Sequence, residues 1–173
     1  MNAFKIVKSK EFYCVPASLE TILVRYGINN WDQNRIAEYF SINTDYSSPQ
    51  AIWGSIIKKD DINAFFINNS IGLREEFISV MRFVDEYFMV ELIKKMLDAE
   101  ISVICGYNYS SLFGDKKGDW GHVSIATNIS DNFRNIELAD PGPKYFGYKW
   151  VDACDLFNAI KARNDGLWCM SRA

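Results

Sequence analysis

A chain of 173 residues, 49% hydrophobic, 24% charged and 15% aromatic, has the material for one folded domain and is too apolar to stay disordered. Its net charge of -3 provides no basic footprint for nucleic acid, whose phosphates are met by clustered Lys and Arg. No run reaches the roughly 18 uncharged apolar residues of a membrane span, and residues 1–10 lack the apolar stretch of a secretion signal, so a cytoplasmic protein is expected.

The first element in the chain is a helix beginning near Cys14. Ala17, Ile22, Leu23 and Tyr26 recur at close to helical spacing and Gly27 stands where a left-handed C′ residue ends a helix. Pro16 belongs in the first turn, where an N–H would be unpaired in any case. Residues 31–40 predict a second helix, and Ser48-Pro49 a third through Ile52, Ile56 and Ile57. Residues 77–83 fit strand or helix equally, whereas Val90, Ile93, Met96 and Leu97 predict a helix over 89–99.

The final third changes character. Residues 101–107, 123–127 and 136–140 are short β-branched runs bounded by Gly, Asn, Asp and Pro, which predict strands. A short helix over 155–163 and a closing strand over 167–170 follow. The expected architecture is α+β, an N-terminal helical half followed by a C-terminal antiparallel sheet half, in a single domain spanning 1–173. The polar stretch 108–121 is longer than most hairpin loops, and loops of that kind often border binding sites.

Three residues suit nucleophilic chemistry. A thiol at a helix N-terminus beside an imidazole is biased toward thiolate, and the helix start supplies a backbone N–H for an oxyanion. Cys14 meets the first condition, and His122, the sole histidine, is the only imidazole available. Asp140 closes the strand after that of His122, where it could fix the ring, provided the strand register turns both side chains the same way. Singly, each has a plainer reading: a buried helix cysteine, a satisfied polar residue and a turn former before Pro-Gly. Cys105 reads as a buried strand residue. The four cysteines, Cys14, Cys105, Cys154 and Cys169, form no CxxC pair, so free thiols, no metal and no cofactor are expected. The aromatics Tyr107, Tyr109, Phe113 and Trp120 fit either a substrate groove or ordinary core, and Trp120, Gly121 and Asn108 are the expected substrate contacts.

The segment Phe12-Tyr-Cys-Val-Pro-Ala-Ser-Leu-Glu-Thr-Ile-Leu-Val-Arg-Tyr-Gly resembles the nucleophile helix of the bacterial double-glycine leader peptidases of the papain clan. Gly121-His-Val-Ser-Ile-Ala through Ile136-Glu-Leu-Ala-Asp-Pro-Gly is similar to their Gly-His strand and the following strand ending in Asp-Pro. The Cys14, His122 and Asp140 spacing and the segment Lys144-Tyr-Phe-Gly-Tyr-Lys-Trp-Val are also similar to phytochelatin synthase. The resemblance implies a papain-like fold and a Cys14–His122–Asp140 triad acting on peptide or amide bonds. It departs at one position: those families carry a glutamine about six residues before the cysteine, as an oxyanion donor, where this chain has Lys8. Lys8 or Lys10 by charge, or Asn108, could replace it. Three functions stay open on this evidence: a peptidase on a peptide or protein substrate, an acyltransferase or glutamine deamidase with the same triad, and a peptide-binding module without catalysis.

Overall fold

The computed structural model describes residues 4–42, 60–114 and 120–173; the helix expected over 48–57 lies outside them. In chain order the elements are α1 (Cys14–Arg25), α2 (Gln33–Tyr39), α3 (Asp61–Asn68), β1 (Leu73–Ser79), a 3-10 turn (Val80–Arg82), α4 (Glu86–Asp98), β2 (Ser102–Asn108), α5 (Tyr109–Phe113), β3 (Gly121–Ile129), β4 (Asn135–Asp140), β5 (Gly147–Asp152), α6 (Ala153–Arg163) and β6 (Gly166–Arg172). The six strands form one antiparallel sheet in the order β1-β6-β2-β3-β4-β5.

Helices cover both faces of this sheet, which is why β2 is buried along its whole length. On one face Leu19, Ile22 and Leu23 of α1 and Ile62, Phe65 and Phe66 of α3 pack against Ile104, Val123, Ile125, Ala139 and Trp168. On the other, Met89, Val90 and Ile93 of α4 and Leu156, Phe157 and Ile160 of α6 pack against Val103, Cys105, Leu138 and Leu167. Asp85 and Asp152 cap α4 and α6 by accepting from first-turn N–H groups. No such side chain caps α1, and with Pro16 lacking an N–H the Cys14 N–H stays available at its start. No helix among the described residues is long and apolar enough to cross a membrane.

The expected division into a helical half and a sheet half is too simple. β1 comes from the middle of the chain and pairs with the C-terminal β6, and α4 and α6 are layered on the sheet. The strand was hard to read because Glu75 occupies one of its buried positions, breaking the apolar alternation. Asn63 of α3 compensates by accepting from the Glu75 N–H at 2.7 Å and donating to its C=O at 2.7 Å. The ambiguous stretch 77–83 divides into the end of β1 and the 3-10 turn, where Ser79 Oγ accepts from the Met81 N–H. The long connection after β2 opens with α5, whose cap is Asn108 and whose end is Gly114 at φ 67.

Candidate active site

Cys14 is the first residue of α1, His122 the second of β3 and Asp140 the last of β4. A β-bulge brings the last two together. Near the hairpin turn the ladder pairs Ile129 with Ile136 and Asn128 with Glu137, but beyond Thr127 it pairs Ala126 with Leu138 and Ile125 with Ala139. Carried on without the bulge, the first register would set Asp140 opposite Ile125, on the face opposite to His122. The extra residue resets it so that Asp140 falls opposite Ser124, on the His122 face. Thr127 Oγ1 pins the irregularity by donating to Glu137 Oε2 at 2.9 Å.

His122 Nε2 lies 2.8 Å from Asp140 Oδ1. Asp140 is fully buried, and its Oδ1 also accepts from the Gly142 N–H at 2.7 Å while Lys149 Nζ reaches Oδ2 at 3.2 Å. Gly142 is required here: a Cβ on it would stand 2.8 Å from Asp140 Oδ1 and 3.3 Å from His122 Cε1. Tyr107, opposite His122 in the ladder, and Tyr109 meet the imidazole edge-on, with ring centroids 5.7 and 5.3 Å away. The adjoining turn is tied to the segment leading into α1 by the Ser9 N–H donating to the Pro141 C=O at 2.7 Å.

The Cys14 sulfur hydrogen-bonds the His122 side chain and the backbone N–H groups of Val123 and Val15. Burial alone would raise its pKa, but these bonds and the imidazolium charge outweigh burial and hold the thiol below its usual range. Burial would likewise lower the His122 pKa, yet bonds to Asp140 and Cys14 raise it to about 9. Burial pushes Asp140 up, and His122, the Gly142 N–H and Lys149 bring it below the ordinary carboxylate range. These directions favour a thiolate–imidazolium pair held by a carboxylate. The first intrahelical bond of α1 runs from the Ala17 N–H to the Tyr13 C=O, so the Cys14 N–H stands ahead of the hydrogen-bond ladder and can serve an oxyanion.

The side chains suggested for the missing glutamine have other partners. Lys8 Nζ lies over the Phe146 ring at 6.0 Å, Lys10 Nζ bonds Asn34 Oδ1 at 2.6 Å, and Asn108 Oδ1 accepts from the Ser111 N–H at 2.9 Å. Of the residues proposed for a groove, Tyr107 is fully buried beneath His122 and belongs to the core, while Trp120 is half-exposed. Gly121 lies against the Arg163 guanidinium. Sequence reasoning missed Lys149. It stands across from Leu138, on the Asp140 face, with Nζ 4.8 Å from the ring centroids of both Phe113 and Tyr145. Only the pairing of β4 with β5 reveals that placement. No group of three or more metal-ligating side chains occurs among the described residues.

No protein-family model matches this sequence, and no curated protein matches it. Its fold does have a counterpart. A crystal structure of a candidate C39-like peptidase from Bacillus anthracis superposes with a TM-score of 0.61 at 13% identity, over 98% of this chain and 96% of that one. At that identity the likeness is one of fold: mixed helices and an antiparallel sheet in the arrangement of a C39-like peptidase.

Proposed function

We propose that this chain is a papain-like cysteine hydrolase that cleaves a peptide or amide bond with Cys14 as nucleophile, His122 as acid and base, and Asp140 as the residue that orients His122. The observation that carries the reading is the continuous contact from the Cys14 sulfur through His122 to the buried Asp140 carboxylate, 2.8 Å from the far ring nitrogen. The thiolate attacks the carbonyl carbon, and the oxyanion is held by the Cys14 N–H. The His122 imidazolium gives its proton to the departing amine as the C–N bond breaks, leaving a thioester. Neutral His122 then takes a proton from water, whose oxygen displaces the thiolate and releases the acid. Asp140 accepts from His122 throughout, and His122, the Gly142 N–H and, to a smaller degree, Lys149 keep it ionised.

The test is site-resolved alkylation followed by mass spectrometry. Iodoacetamide at pH 7 should modify Cys14 at least about tenfold faster than the exposed Cys154. Equal rates would sink the proposal. Incubation with a peptide pool should then leave a Cys14 adduct heavier by an acyl group and discharged by hydroxylamine.

A further inference from the structure

Gly106 and Gly121 mark a second polar feature beside Cys14. Gly106 pairs with Val123 across the β2–β3 ladder, and Gly121 precedes Val123 by two positions. Strand alternation therefore opens both glycines on the face of Val123 and Ile125, the face covered by α1. Each glycine carries a charged group where its side chain would be. A Cβ on Gly106 would fall 2.7 Å from the Asp165 carboxyl, and one on Gly121 2.0 Å from the guanidinium carbon of Arg163. The two groups pair, Arg163 Nε to Asp165 Oδ2, at 3.6 Å. The Val123 N–H bonds the Cys14 sulfur, so Arg163 lies two positions along β3 from that contact and Asp165 lies across from it on β2, while Asp140 stands on the β4 side.

The arrangement does little for folding. The Arg163 side chain is 42% exposed, and an ion pair this long and this wet contributes little stability. The two members also face differently. Asp165 is 22% exposed and is held from within by the Gly166 N–H at 2.9 Å and by Trp168. Arg163 has five donors in a planar fork, and its one described ion pair is longer than a hydrogen bond, so donors remain for a ligand. A guanidinium lying flat on bare backbone and braced by an inner carboxylate suits bidentate capture of a carboxylate.

Resting on the hydrolase reading above, we propose that Arg163, seated on Gly121 and braced by Asp165, recognises an acidic side chain of the substrate close to the scissile bond, making acidic peptides the substrate class. The test uses N-acetyl dipeptide vinyl sulfones that carry Glu, Gln or Lys at either of the two residues before the reactive group. Labelling of each cysteine in the full chain is followed by mass spectrometry. At one of the two positions the Glu reagent should label Cys14 about three- to tenfold faster than its Gln isostere. Arg163→Gln should abolish that preference and Arg163→Lys keep most of it. Should Arg163→Gln fail to fold, the unmodified protein still decides, since its Glu preference must shrink between low and high salt. Equal Glu and Gln rates at both positions, a salt-independent preference, or faster labelling by the Lys reagent would overturn the assignment. Failure of every reagent to label Cys14 faster than Cys154 would instead overturn the hydrolase reading.

Discussion

Cys14 and Cys105 are both thiols packed among apolar side chains, and their surroundings push them in opposite directions. Cys105 lies in the middle of β2, opposite Ser124 and Leu167. Burial drives its pKa far above the usual thiol range, and the nearby Cys169 and Asp165 push the same way. Cys169, on β6, is pushed up to about 12, again chiefly by burial. Cys14, half-buried, is also pushed up by desolvation, but the His122 side chain and two backbone N–H groups converge on it and the net direction reverses. Burial by itself makes a thiol inert. A reactive one needs donors that survive burial, and here the start of a helix and the start of a strand provide them.

Removing the imidazole should break this contrast most severely. In His122→Ala the alkylation rate of Cys14 at pH 7 should fall by about 10²-fold, toward that of an ordinary thiol, with hydrolysis lost. Asp140→Asn should cost less, about tenfold in the same assay, because an amide oxygen still accepts from the ring. Equal losses in the two variants would mean that the carboxylate charge is essential.

Dependence on pH sharpens the contrast further. Alkylation needs only the thiolate, so the Cys14 rate should already be substantial below the usual thiol range and should not fall at high pH. Hydrolysis also needs the imidazolium as acid. It should decline as pH rises through about 9, where His122 gives up its proton. Parallel profiles for the two assays would contradict the ion-pair description. Lys149→Met should raise the Asp140 pKa and slow Cys14 alkylation by about threefold, with Lys149→Arg restoring most of the rate. The smallest effect belongs to Cys105→Ala: Cys14 reactivity within twofold of the parent, and a loss of about 1 kcal/mol in denaturant unfolding from the vacated core volume.

Much of the site was legible because its residue types are scarce and its local signals strong. The start of α1 is written in the spacing of Ala17, Ile22 and Leu23 and in Pro16, and a single histidine leaves no choice of base. The strands β2, β3 and β4 announce themselves by β-branched runs, and β6 by the short apolar run 167–170. β1 and β5 do not. Glu75 breaks the apolar alternation of β1, and β5 is an edge strand whose Tyr148 and Trp150 face outward, so neither shows the pattern of a buried strand.

The sequence by itself determined which thiol opens a helix, which ring can serve it, and that an acidic residue ends the following strand. Tertiary structure decided whether that residue faces the ring. Side chains alternate with a period of two, so the answer hung on one residue, and the bulge at Thr127 turns Asp140 onto the His122 face. Pairing across strands likewise placed Lys149 on Asp140, and the packing of α6 on the sheet set Arg163 and Asp165 on two bare glycines. Local sequence encodes propensity and order along the chain, whereas these contacts join groups 9 to 59 positions apart, and only the packed sheet sets their distances.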